Sequence, residues 1–243
     1  MAKYEDPIMV LGVGRCGTSV IAGLLHMAGV YMGQEMTQTR RPNPKGYFED
    51  LDFVQAHRGR IRGPGPKGTK EAWTDPGAKS PEWEEGMKEI IEHRRSLGTP
   101  WGFKDPATCY FLDYWLTFHF KFPKIIWAMR DLFECQKSLI VWAEHRPPDM
   151  ISDEEVLQVM TKGFLASREK LIVSAIKGRE VLIVDFNELV FNDQKGSIDR
   201  IMAYAELNPS KKVLNQMLDF VEFPDRKDDW AYMRSLQKNV DSS

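Results

Sequence analysis

The chain has 243 residues, 42% of them hydrophobic and 28% charged, with a formal net charge of −2. That length is enough for one α/β domain with a sizeable core, and the balance of apolar and charged residues is ordinary for a folded globular protein. The charge argues against a general nucleic-acid binder, whose footprint would be basic, so any anion site must be local. Cys16, Cys109 and Cys135 are too few and too scattered for a disulfide framework or a zinc site, and they read as reduced thiols. The opening residues lack the basic and apolar segments of a signal peptide, and no apolar run approaches the roughly 20 residues that cross a bilayer. The expected location is the cytoplasm, with no membrane partner.

In chain order, the apolar run Ile8–Leu11 predicts a buried parallel strand. A glycine-rich turn from Gly12 to Gly17 follows, then a helical apolar pattern over Val20–Met27. Strand, glycine loop and helix make a phosphate cradle from backbone N–H groups and a helix N-terminus. The spacing Gly12-x4-Gly17 matches a Walker A loop, but the Lys-[Ser/Thr] that should follow is replaced by Thr18-Ser19. The cation stands inside the loop instead, at Arg15, which points away from ordinary ATP or GTP hydrolysis. Cys16 reads as a small loop filler rather than a nucleophile, because no histidine lies near it in sequence to act as base.

Arg40–Gly46 is turn-rich, and Tyr47–Val54 follows it. Residues 59–81 hold several Gly and Pro together with Arg60, Arg62, Lys67 and Lys70, and predict a mobile surface loop. Glu82–Leu97 predicts an amphipathic helix, Trp101–Lys104 a short strand ended by Asp105-Pro106, and Lys124–Met129 a second strong buried strand. Arg130-Asp131 ends that strand, and a helix runs to about His145, where Pro147-Pro148 breaks it. Ser152 and Glu155 form a capping box that starts a long helix to about Lys177. Glu180–Phe186 is a third buried strand, Ser197–Ala205 and Lys211–Phe220 are short helices, and a polar tail begins at Asp225. Alternating strands and helices predict an α/β fold of three layers, a central parallel sheet with helices on both faces, in a single domain over residues 1–243. Ligands in such sheets bind at the carboxyl ends of strands, where Arg15, Lys104-Asp105 and Arg130 all fall.

Four segments together resemble the sulfotransferases that use 3′-phosphoadenosine 5′-phosphosulfate (PAPS). Gly14-Arg-Cys-Gly-Thr-Ser19 is similar to that family's loop for the 5′-phosphosulfate. Arg130, followed by Ser138, is similar to its 3′-phosphate motif, an Arg at a strand end and a Ser in the next helix. Asn43-Pro-Lys-Gly-Tyr-Phe-Glu-Asp50 resembles the acceptor-side segment of bacterial and carbohydrate-type members, and Trp101–Pro106 the segment that carries a central lysine. Phe186-Asn-Glu-Leu189 resembles a degenerate Tyr-Glu-Asp-Leu. The likeness spans about residues 7–210. It implies a P-loop-like fold and a metal-free transfer of a sulfuryl group from PAPS to a hydroxyl acceptor, with release of adenosine 3′,5′-bisphosphate (PAP).

On that resemblance Gly14, Arg15, Cys16, Gly17, Thr18 and Ser19 hold the phosphosulfate, while Arg130 and Ser138 hold the 3′-phosphate. Lys104 faces the sulfuryl oxygens or the leaving group. The histidine base of many small-molecule members is absent after Lys104, so Glu49 is the leading base, with Asp105 and Asp50 as alternatives. His57 is expected on the surface. The usual adenine-stacking aromatic would fall near Val20, which cannot stack, and Arg226-Lys227 is a candidate second contact to the 3′-phosphate. The basic loop would close over the acceptor, a saccharide being one candidate. The rival readings are a P-loop kinase or hydrolase that binds ATP or GTP with Mg²⁺, and a non-catalytic PAP-binding module.

Overall fold

The computed structural model describes residues 4–33, 46–61, 81–144 and 162–222. Four strands, β1 (Ile8–Leu11), β2 (Gly102–Lys104), β3 (Lys124–Met129) and β4 (Val181–Asp185), form one parallel sheet in the order β2-β1-β3-β4. Successive strand residues face opposite sides of a sheet, so the burial of all four residues of β1 means that both faces are covered. This is the parallel α/β sheet that the alternation of elements predicts.

The covering helices are α1 (Thr18–Met27), α2 (Leu51–Ile61), α3 (Pro81–Ser96), a helical turn α4 (Leu112–Tyr114), α5 (Leu132–Glu144), α6 (Lys162–Ala175), α7 (Gln194–Tyr204) and α8 (Lys211–Val221). α1 lies against β1, β2 and β3, and α8 packs on α1 and α7. α5 packs on α6, which also meets the 3-10 turn Pro106–Tyr110. β1 connects to a neighbour on one side of the sheet, and β3 connects to a neighbour on the other. The crevice beyond the carboxyl ends of β1 and β3 is therefore the switch point where ligands settle in open α/β sheets.

The sequence reading is corrected at several points: β4, expected to be buried, is an edge strand with Ile183 51% exposed, and α1 starts at Thr18 rather than Val20. Residues 59–61 are the last residues of α2, not loop. α7 starts at Gln194 instead of Ser197 because the Asp193 carboxylate caps it, accepting the Gly196 N–H at 3.0 Å. The rest of the basic loop, the Ser152–Glu155 capping box and Arg226-Lys227 lie outside the described residues.

α2 seats Glu49 and Asp50. Its Phe53 ring stacks on Phe103 of β2 at 4.0 Å with nearly parallel planes, and Trp101 and Trp115 close around the pair. Just before α2, Asp50 is wholly buried and accepts from Arg94 of α3 through Nε and Nη2, each at 3.1 Å. Arg94 also meets Asp52. Burial pushes the Asp50 carboxyl up and the Arg94 fork pulls it back, with a net rise. This ion pair pins α2 to α3. Without Asp50, Arg94 keeps only the half-buried Asp52, and breaking a buried pair costs about 3–5 kcal/mol. Asp50→Ala is thus expected to lower Tm by roughly 6–20 °C, while Asp50→Leu combined with Arg94→Met recovers most of that loss. Thermal unfolding checks both; an Asp50→Ala Tm within 2 °C of the parent would remove the structural role.

Candidate functional site

The loop after β1 folds tightly on itself. Gly14 and Gly17 stand at φ 99° and 97°, in left-handed regions that suit glycine. Arg15 between them also has positive φ, 60°, a conformation that costs a side-chain-bearing residue about 1–3 kcal/mol and concentrates at functional loops. A Cβ on Gly17 would lie 2.5 Å from the Phe186 ring, and one on Gly12 would strike Cys16 Sγ. Gly17 is the N-cap of α1 and brings no capping side chain to the first-turn N–H groups. Thr18 is buried and Ser19 half-buried at that helix start.

Two side chains from the β3 side fasten the loop. Arg130, one residue past β3, is buried and donates from Nη1 to the Arg15 carbonyl at 3.2 Å. Its guanidinium carbon lies 4.3 Å from the Phe186 ring centroid, so Phe186 is backed by the loop glycine and faced by the cation. Ser138, two turns into α5, accepts from Arg15 Nε at 3.1 Å. The loop arginine and the α5 serine, 123 residues apart, thus share one cluster. An arginine before a helix opposes its dipole, yet here Glu134 accepts from Arg130 Nε at 2.9 Å, and Asp131 caps α5 through the N–H groups of Phe133 and Glu134.

On the β2 side, Lys104 is buried at the strand's carboxyl end and donates to Glu49 Oε1 at 2.7 Å. Phe48, in a left-handed conformation at φ 51°, turns the chain immediately before Glu49. Glu49 Oε2 has no hydrogen-bond partner among the described residues. Val10 pairs with Lys104 in register, so this ion pair sits one strand over from the root of the loop.

Asp105 belongs to a different network. Its Oδ1 accepts the Ala107 N–H at 3.0 Å, capping the 3-10 turn, and its Oδ2 accepts a hydrogen bond from His57 Nδ1 at 2.8 Å. His57 Nε2 accepts from the Trp115 indole at 3.2 Å, which fixes the proton on Nδ1, since indole can only donate. His57 is wholly buried and stacks on Phe111 at 4.5 Å. The surface position expected for it is incorrect: α2 carries the ring inward on the same side as Phe53. With both ring nitrogens and both carboxylate oxygens engaged, His57 and Asp105 brace the end of β2, and Asp50 is held likewise by Arg94. Of the three carboxylates weighed as base, Glu49 alone keeps an oxygen without a described partner.

All three cysteines are free and buried. Burial pushes the Cys16 thiol up, the Cys109 thiol up to about 11 and the Cys135 thiol higher still, so none is an activated nucleophile. Val20 is buried in α1 and takes no part in the site. Among the described residues no cluster of His, Cys, Asp and Glu could hold a metal ion, and no helix is long and apolar enough to cross a membrane. A residue that sequence reasoning passed over is Arg168 of α6, which is buried and donates from Nη1 to the Val13 carbonyl at 3.4 Å.

No protein-family model matches this chain, and no curated protein matches it. A crystal structure of a sulfotransferase from Mycobacterium tuberculosis H37Rv is similar to it over 90% of this chain and 72% of that one, at 17% identity and a TM-score of 0.46.

Burial raises the Asp105 pKa, but the His57 hydrogen bond, the Ala107 amide and the nearby Lys104 charge outweigh it and hold the group below the usual aspartate value. A carboxylate depressed in the folded state stabilises above its unfolded pKa, about 3.9, and that contribution fades as pH falls through the folded value. Asp105→Asn is expected to lower Tm by roughly 3–10 °C at pH 7. The gap from the parent closes as pH drops below about 3.9. Thermal unfolding across pH 2.5–7 measures this, and a gap that stays constant would mean that the Asp105 charge is unused.

Proposed function

We propose that the chain is a PAPS-dependent sulfotransferase, acting as one domain, that moves a sulfuryl group to a hydroxyl acceptor and releases PAP. One observation carries the reading. A Gly12–Gly17 anion loop has its cation inside the loop rather than after it, is grasped from β3 by Arg130 and Ser138, and stands one strand from a buried Lys104–Glu49 pair. A kinase loop needs a lysine before the helix to reach its terminal phosphates, and Thr18 occupies that place here.

The donor's 5′-phosphosulfate would lie along the loop N–H groups and the α1 N-terminus, beside the planar fork of Arg15. Arg130 and Ser138 would take the 3′-phosphate that distinguishes PAPS and PAP from ATP, and the Phe186 ring under Arg130 would help to hold its guanidinium there. The acceptor hydroxyl would approach from the β2 side. Glu49 takes its proton as the acceptor oxygen forms a bond to sulfur. The bond from sulfur to the bridging phosphate oxygen then breaks, and its electron pair leaves with PAP. Lys104, held by Glu49, is aimed where sulfuryl oxygens gain charge. Fixed cations and loop amides supply this stabilisation without reorganising during the step. The basic residues Arg60, Arg62, Lys67 and Lys70 suit an anionic acceptor, a saccharide being one candidate.

Titration calorimetry with PAP, and separately with ATP and Mg²⁺, tests the donor site. Metal-independent PAP binding that Arg130→Ala weakens by about 10–100-fold is the expected result. Preference for ATP with Mg²⁺ would point to a divergent kinase instead. Glu49→Gln is expected to keep PAP affinity and to reduce sulfate transfer from PAPS across a panel of hydroxyl acceptors by about 10²–10⁴-fold. Retained transfer would remove Glu49 as base, and PAP binding without transfer by the parent protein would leave a binding module.

A further inference from the structure

Arg168 lies mid-helix in the polar stretch Ser-Arg-Glu-Lys, yet it is buried. It shares the stripe of α6 that carries Leu165 and Ile172, three residues before and four after it, both fully buried. Arg168 itself is 8% exposed. Its guanidinium carbon lies 4.4 Å from the Phe164 ring centroid and 5.3 Å from that of Tyr110. Nε donates to the Tyr110 hydroxyl at 3.2 Å and Nη1 to the Val13 carbonyl at 3.4 Å, while Nη2 donates to no described residue.

Every polar partner of this buried cation is neutral. No carboxylate lies within ion-pair distance among the described residues, and the nearby Asp105 gives its oxygens to His57 and Ala107. The other two buried arginines among the described residues have carboxylates: Arg94 has Asp50 and Asp52, and Arg130 has Glu134. An uncompensated buried charge is costly, and the surroundings usually neutralise it. What lies beside Arg168 is the loop: Nη1 holds the Val13 carbonyl, and a Cβ on Gly14 would sit 3.9 Å from it. Tyr110 belongs to the turn after β2, so Arg168 reaches the loop from the β2 side, whereas Arg130 and Ser138 reach it from the β3 side.

We infer that Arg168 is a ligand-binding cation of the loop, and that its missing counter-charge is the anionic phosphate or sulfonate group cradled by residues Gly12–Gly17. The inference rests on the loop's being the donor cradle of the proposed function. It makes that cradle two-sided, with the anion clamped between Arg168 and the Arg15–Arg130 cluster. The apo protein then carries an electrostatic burden that ligand binding relieves.

The test compares Arg168→Met and Arg168→Lys with the parent protein. Thermal unfolding is measured without ligand, and PAP and inorganic pyrophosphate are titrated by calorimetry at one low salt concentration. Methionine keeps the apolar stem against Phe164 and Tyr110 but removes the charge. The expected result is an Arg168→Met Tm equal to or above the parent's, together with a 10–100-fold loss of PAP affinity that lysine restores in part. A fall in Tm with unchanged affinity would make Arg168 a structural brace and overturn the inference. If the parent binds pyrophosphate but not PAP, the donor reading fails, and the same comparison made on pyrophosphate still decides Arg168. If it binds neither, both fall.

Discussion

The bond from Arg130 Nη1 to the Arg15 carbonyl ties the loop after β1 to the end of β3, and the site is organised around that tie. It follows from register. Leu11 pairs with Trp127, so the chain leaves both strands at neighbouring points of the same sheet edge, and whatever follows each strand must meet the other. The loop uses glycine where the backbone turns left-handed and admits one strained residue, Arg15. The cation is thus positioned by backbone constraint before any ligand is considered, which is the condition for preorganised electrostatics.

Around this tie the fold spends its buried polar groups in two ways. Asp50 with Arg94, and Asp105 with His57 and Trp115, are satisfied networks that hold α2, α3 and the end of β2 in place. Glu49 with Lys104 is incomplete, because one carboxylate oxygen has no described partner, and Arg168 is a charge among neutral acceptors. The two kinds stand side by side in the chain, Asp50 after Glu49 and Asp105 after Lys104. That is the distribution expected when scaffold and site are built from the same residue types but answer to different demands.

Much of this was legible in the sequence. The inner strand β1 is a continuous apolar run because it is covered on both faces, and the glycines of the loop announce its conformation. The place of Arg130 at a strand end could be read because the apolar run of β3 stops just before it. What escaped depends on contacts far apart in the chain. Asp50 and Arg94 are 44 residues apart and His57 and Asp105 are 48, and nothing local marks either pair. His57 was misplaced because its turn of α2 mixes Gln55 and Arg58 with the apolar residues, which blurs the period that reveals an inward face. Arg168 was missed for the same reason, since only the fold shows that its stripe of α6 faces the loop.

β1 has a further consequence, for how the chain is made. It precedes the other described strands in the chain and is an inner strand of the sheet, yet Ile8 pairs with Gly102 on one side and Lys124 on the other. At about 5–20 residues per second, roughly 5–20 s of synthesis pass before either partner exists. Throughout that interval Ile8–Leu11 and the apolar α1 have no sheet to join. The element that roots the loop after β1 is thus the one with the longest wait, its apolar residues unpaired until β2 and β3 follow.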